Sequence, residues 1–318
     1  MTFTNSRTLL EYLIQSTPET SSAADLSLWQ TQLNQIAEQW SESSEQAVVA
    51  GFNAPCIAFA FAGGYQAAMS RLLANATINE SKTANAFYAL CITEKEGNRP
   101  RHIASTLTKT EQGWVLNGNK TYVTGGTGAD RLIIAANAGV PTDELPSITM
   151  VNIPANRAGI SIESLPTLPF IPELPHATVT LDNVRIEPGE VLKGDGYLEC
   201  VKPFRTIEDL HVELALIGLM IRHTSRTEKN WVSIEKLLAL MSSLQHLVAL
   251  PPLDESTHIL LAGQRHFLIS TAEQLEPEWE HNAPAFYAQW QRDKKLLSIA
   301  QNARDARTAK AWSVLGAA

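Results

Sequence analysis

Apolar positions near the start of the chain recur with a helical period. Leu26, Trp29, Leu33, Ile36 and Trp40 stand at spacings of 3, 4, 3 and 4, which places them on one face of a packed helix. Ser16, Thr17 and Pro18 before it and the polar run 41–46 after it supply cap and loop residues. Beyond Gly63-Gly64, the stretch from Tyr65 to Leu73 again suits a helix.

From about Ala89 the period changes. Short runs rich in β-branched and aromatic residues alternate with turn signals: Trp114 to Leu116, Asn117-Gly118, Thr121 to Thr124, Gly125-Gly126. Asn-Gly between two such runs predicts a hairpin turn. Leu132 to Ala135, Ile148 to Ile153, Ile160 to Ile162 and Ala177 to Val184 continue the series, so the middle third reads as a small β-barrel or sandwich.

Past Gly194 the helical period returns, with Ile207, Leu210, Leu214, Ile217 and Ile221 again at spacings of 3, 4, 3 and 4. Trp231 to Val248, Ser256 to Leu275 and Trp290 to Leu315 complete four amphipathic segments, joined by Pro251-Pro252 and by the stretch from Pro277 to Pro284. A four-helix bundle follows. The expected fold is α+β and multidomain: a helical N-terminal domain over 1–88, a β domain over 89–192 and a C-terminal bundle over 193–318.

Composition narrows the partners. At 318 residues and 44% apolar, the chain can bury substantial cores. The 25 Lys+Arg against 33 Asp+Glu leave a net charge of −8, and no single segment supplies the basic face that nucleic acid or an acidic membrane needs. Cys56, Cys91 and Cys200 lie far apart with no CxxC pair, which suits a reducing cytoplasm and excludes the usual zinc spacings. The N-terminus lacks a secretory pattern, and the longest apolar stretch, Pro55 to Ala62, is too short to cross a bilayer. A soluble cytoplasmic protein with no bound metal is expected.

Three sequence words then carry a resemblance. Cys91 to Asn98 (CITEKEGN), Gly113 to Asp130 (GWVLNGNKTYVTGGTGAD) and Val179 to Tyr197 (VTLDNVRIEPGEVLKGDGY) resemble, in order and spacing, the middle domain of the acyl-CoA dehydrogenase family and its exit into the bundle. The resemblance covers about a hundred residues and implies FAD as cofactor, an acyl thioester as substrate and a homo-oligomer built through the bundle. It also implies that the N-terminal helical domain is shortened. In the family, threonines of the first two words hydrogen-bond the flavin ring and an aromatic residue packs on it; the matching residues are Thr93, Thr124 and Tyr122. Such residues are also ordinary strand formers. Asn98-Arg99 stands where the family has Ser-Asp, in a first word one residue shorter than usual.

The bundle departs from the family pattern. The Arg followed by Phe-Gly that helps hold the FAD diphosphate is absent, since Thr227 to Val232 reads TEKNWV. The Gln of the second diphosphate word is kept as Gln274, but Leu275, Glu276, Pro277, Glu278, Trp279 and Glu280 replace its glycine turn. Proline has no N–H to offer an anion and the glutamates repel one. Nine residues after Arg292, where most members carry the carboxylate that removes the substrate α-proton, stands Gln301, an amide that cannot accept a proton. Some members place that base twelve residues before the end of a Gly-Leu-Met word; here Gly218-Leu219-Met220 puts Glu208 there, with His211 one turn on. Acidic residues near a helix start also suit the macrodipole without chemistry.

Two functions remain open on these residues. One is an FAD-dependent dehydrogenase of an acyl thioester with Glu208 as base; flavin chemistry on a non-thioester substrate is a variant of it. The other is a divergent member without FAD or activity that serves as a binding or scaffold subunit beside an active family relative.

Overall fold

The computed structural model describes residues 4–17, 25–74, 86–111, 113–139, 147–225 and 227–316. Four helices come first: α1 (Thr4–Gln15), α2 (Leu26–Gln39), α3 (Ser43–Asn53) and α4 (Ile57–Leu73). Seven strands follow: β1 (Tyr88–Cys91), β2 (Thr106–Thr110), β3 (Gly113–Thr124), β4 (Arg131–Asn137), β5 (Ile148–Pro154), β6 (Ile160–Ser164) and β7 (His176–Ile186). The chain ends in α5 (Lys202–His223), α6 (Trp231–Val248), α7 (Glu255–Asn282), α8 (Pro284–Asp293) and α9 (Gln301–Val314).

These elements form two compact units. The helical unit holds residues 1–68, 169–173 and 206–318; the sheet unit holds 69–168 and 174–205. In the helical unit, α2 forms where the period predicted it, with Trp29 and Ile36 turned inward and Asp25 capping the amides of Ser27 and Leu28. Pro18, part of the expected cap, lies outside the described residues. The run 41–46, expected as a loop, already contains the first turn of α3, and α4 runs unbroken through Gly63-Gly64. Trp29 stacks on Phe59 at 5.9 Å. The Gly218-Leu219-Met220 word has a packing reason of its own. A Cβ on Gly218 would lie 2.2 Å from the Val48 carbonyl, and one on Gly51 only 1.7 Å from the Ala215 carbonyl, so α3 and α5 touch backbone to backbone.

In the sheet unit the strands form one half-barrel sheet in the order β1-β4-β2-β3-β7-β6, with β5 on β4. Its buried face gathers Leu107, Leu116, Val123, Leu132, Ile134, Val151, Val179 and Leu181. The hairpin expected at Asn117-Gly118 is not a turn. β3 continues through it and bulges: the register against β7 shifts between Leu116 and Gly118, and the chain reverses instead between Thr110 and Gly113. Gly118, at φ +148°, makes room for Ser105, which a Cβ would strike at 2.1 Å.

Two expectations for the bundle are corrected. The fourth segment, predicted as one helix from Trp290 to Leu315, is divided into α8 and α9 by a short 3-10 turn at Lys294–Ser298 and by Ala300, which sits at φ +60°. The third does not end at Leu275. α7 continues through Pro277 to Asn282 because its last turns are anchored by packing, which outweighs the local proline signal.

Candidate functional site

In the sheet unit the two family words lie side by side. The amide of Thr121 donates to the Thr93 carbonyl at 2.8 Å, which joins the first word to the second. Beneath this contact lies a buried ion pair that the sequence reading missed. Lys120, 1% exposed, donates from Nζ to Glu94 Oε1 and to the Ala135 carbonyl, both at 2.6 Å. Glu94 also accepts the amides of Ala104 (2.8 Å) and Ser105 (3.0 Å) and the Ser105 hydroxyl (2.8 Å). Burial pushes the Glu94 carboxyl up, but its bonds to Lys120 and Ser105 hold it below the usual carboxylate range; burial holds the Lys120 ammonium below its usual range. The available signal was a glutamate and a lysine inside otherwise strand-like words, where a charged residue either faces solvent or has a partner.

Directly after this pair β3 bulges again, between Lys120 and Val123, and Tyr122 adopts φ +53°. A left-handed aromatic residue inside a strand is a costly conformation. It turns the ring outward, leaving Tyr122 62% exposed, while Thr124 and Thr93 are half-buried near it in sequence and pairing. The sheet unit therefore offers hydroxyls and an open aromatic face, which fit a flat heteroaromatic ring.

In the helical unit Glu208 is half-buried on α5. The protein around it pushes its carboxyl up to about 7; neighbouring Asp209 adds to that rise, and Arg304 and Arg307 oppose it. Among the described residues no hydrogen bond reaches the Glu208 carboxyl. His211 is not its partner. Its ring lies in the core, with Nδ1 donating to the Ile207 carbonyl at 2.7 Å, so that Nε2 accepts from the Ser43 hydroxyl at 2.9 Å.

Asp209, one residue on, clamps α9 to α5. Its Oδ1 accepts Arg304 Nε (3.0 Å) and Nη2 (2.6 Å), and its Oδ2 accepts Arg307 Nη2 at 2.5 Å. A cleft of about 540 Å³, open to solvent, lies here, lined by Asp209, Glu213, Arg265, Gln301, Arg304 and Arg307 among others. Gln301 is thus brought to the same cleft as the turn that follows Glu208, with its amide donating to Asp305 at 2.7 Å. Buried Glu213, paired with Arg265, is also pushed up to about 7 by desolvation. Among the described residues no group of three His, Cys, Asp or Glu side chains is placed to hold a metal ion.

The segment after Gln274 corrects the expected turn. It is helix, and two of its three glutamates serve the fold. Glu276 accepts Trp290 Nε1, Gln291 and Lys294, and Glu278 accepts the Ser225 amide and Asn230. Trp279 is fully buried, edge-on to Phe286 and Trp290, with its Nε1 donating to Thr224. A diphosphate needs free amides here; a continuous helix spends them on its own carbonyls. Taken separately, the hydroxyls and open ring of the sheet unit fit a flavin ring, and the continuous helix α7 does not fit a diphosphate.

With this geometry in view, residues 89–184 match the family model described as acyl-CoA dehydrogenase, middle domain. In its middle region and its fold the chain is thus similar to acyl-CoA dehydrogenases. It is similar to Probable acyl-CoA dehydrogenase YdiO of Escherichia coli, 28% identical over 126 residues, 39% of this chain and 33% of that one. The match thus spans about a third of the relative's length. Among solved structures, butyryl-CoA dehydrogenase from Megasphaera elsdenii superposes with TM-score 0.68 over 98% of both chains at 13% identity. The structure of PigA with FAD and proline superposes with TM-score 0.71 over 100% of this chain and 98% of that one, at 11% identity. Likeness at such identity concerns the fold.

Proposed function

We propose that the chain is an acyl-CoA dehydrogenase-like flavoprotein that removes the α- and β-hydrogens of an acyl thioester, with Glu208 as the base. The observation that carries this reading is Glu208 itself: a carboxyl on α5 with a pKa of about 7, matched to taking a proton near neutral pH. Near neutrality a large fraction is already ionised, and burial favours its return to the neutral form once it takes the α-proton. Thr93 and Thr124 would hydrogen-bond the flavin ring, and Tyr122 would cover its face against water. FAD, when bound, supplies the hydride acceptor.

A second reading is favoured by one observation, the helix that α7 forms through Pro277 and Trp279. A chain that cannot hold the diphosphate in the family's manner would serve without FAD, as a binding or scaffold subunit, either in a homo-oligomer or beside an active relative. The visible spectrum of the purified protein, followed by titration with FAD, separates the two. A flavin spectrum bleached by an acyl-CoA in the wild type and not in Glu208→Gln supports the enzyme. A colourless protein that does not respond to FAD removes it in favour of the scaffold. Bleaching that survives Glu208→Gln removes Glu208 from the mechanism.

A further inference from the structure

A second hollow lies among the first three helices of the helical unit. It measures about 720 Å³ with its open mouth included, and Thr8 of α1, Ala37 and Glu38 of α2, Trp40 and Ser41 of the linker and Glu45 of α3 line it, among others. That is room for a small organic molecule. One wall is firmly held. The Trp40 amide donates to the Ile36 carbonyl of α2 at 2.9 Å, the Trp40 carbonyl accepts Gln46 Nε2 of α3 at 2.7 Å, and the indole packs edge-on to Tyr12 of α1 at 5.6 Å.

Glu45 is the anomaly in this hollow. It is only 5% exposed, yet among the described residues no hydrogen bond or ion pair reaches its carboxyl. The other buried acids among those residues all have a base: Glu94 has Lys120, Asp209 has Arg304 and Arg307, Glu213 has Arg265 and Asp293 has Arg292. A bare buried carboxylate costs free energy that a partner would recover. Burial and the charge of Glu42, one turn back, push the Glu45 carboxyl up. Its place in the first turn of α3 suits the helix dipole, but that interaction requires neither burial nor a hollow. Glu38 adds a second negative charge at the exposed rim, and none of the described lining residues is cationic.

We propose that this hollow binds a small aliphatic primary amine as its ammonium ion, with Glu45 accepting its hydrogen bonds and Trp40 and Ala37 beside its carbon chain. An ammonium brings three donors and a positive charge to a carboxylate that has neither, and a short methylene chain suits an indole wall. A bound divalent metal would call for several ligating oxygens, and no group of three His, Cys, Asp or Glu side chains is placed for one among the described residues. The site stands apart from the proposed dehydrogenase chemistry, since it uses none of Thr93, Tyr122, Thr124 or Glu208. No bond is made or broken in the binding.

Calorimetric titration of the full-length protein with n-butylamine near neutral pH, at ionic strength matched with sodium chloride, measures the binding directly. We expect one saturable site with a Kd on the order of 0.1 mM, and no saturable binding of n-butanol, the neutral molecule of nearly the same shape. Glu45→Gln should weaken amine binding at least tenfold while the free protein melts higher, because a buried charge has been removed. Ala37→Lys places a competing cation at the exposed rim and should weaken binding about fivefold at an unchanged melting temperature. The ammonium site is overturned if n-butylamine does not bind, if n-butanol binds as well, or if potassium or calcium chloride binds as tightly, which would make it a site for inorganic cations only. It is equally overturned if Glu45→Gln binds the amine like the wild type. Should that variant fail to fold, Ala37→Lys decides, and unchanged affinity there removes the proposal.

Discussion

The sheet unit and the C-terminal helices solve opposite problems with the same kind of residue. In the sheet, a buried glutamate and lysine tie the loop after β1 to strand β3, beside a tyrosine whose backbone is strained and whose ring is open to solvent. At the end of α7, glutamates and a tryptophan close a segment that would otherwise be a glycine turn. The first arrangement keeps a surface available; the second fills one. A chain can thus hold one face open while another segment is filled as core, and stability measurements should tell the two regions apart.

The largest effect is expected where the filling is most complete. Trp279→Ala removes a fully buried indole from the Phe286–Trp290 cluster and leaves the Thr224 hydroxyl without its donor. A loss of about 3–5 kcal/mol in unfolding free energy follows, read from the denaturant midpoint. A loss under about 1 kcal/mol would show that Trp279 is incidental to α7 and reopen the segment as a binding turn.

Next comes the sheet lock. Lys120→Met strands the buried Glu94 carboxylate and should cost about 3 kcal/mol, whereas Lys120→Met/Glu94→Gln should recover part of that loss. No recovery in the double variant would mean that Lys120 acts through its bond to the Ala135 carbonyl and not through the pair.

These two regions also show how far the sequence could be read. Helical periods located α2 and the buried face of α5, because each depends on spacings within one element. The pair Glu94–Lys120 spans 26 positions and appears only when β1, β3 and β4 are brought into register, so no local pattern displays it. Asn117-Gly118 misled because the same residues serve a turn and a bulge; β7 pairing beyond it decided for the bulge. Pro277 misled for a similar reason, since a local stop signal was overruled by a tryptophan whose burial depends on α8. Of the candidate site, the words pointed to Thr93, Tyr122, Thr124 and Glu208, but the exposure of the tyrosine ring and the shifted carboxyl depend on tertiary surroundings.

The shifted carboxyl gives a pH test that separates the helical unit from the sheet. Glu208 has a folded pKa raised to about 7 from an ordinary 4.5, so the folded protein holds a proton that the unfolded chain has lost between those values. Stability therefore falls as pH rises through that window and levels off above it. Glu208→Gln should flatten the fall by on the order of 2 kcal/mol, with Glu213, raised in the same direction, retaining the rest. Thermal denaturation from pH 4.5 to 8 measures it; an unchanged slope would mean that the Glu208 carboxyl is solvated.

The smallest effect is the most discriminating. Tyr122 holds a left-handed backbone at φ +53° with most of its ring in solvent, so its side chain gives the fold little packing in return. Tyr122→Gly should stabilise the sheet by about 1 kcal/mol, because glycine adopts that conformation without strain. A strained residue that stability alone would replace is kept for something else. If the ring covers a flavin, the same variant must bind FAD more weakly while it melts at a higher temperature. If it melts higher and nothing else changes, the strain is unconnected with a ligand. If it melts lower, the ring packs in the fold after all, and the open surface of the sheet is only apparent.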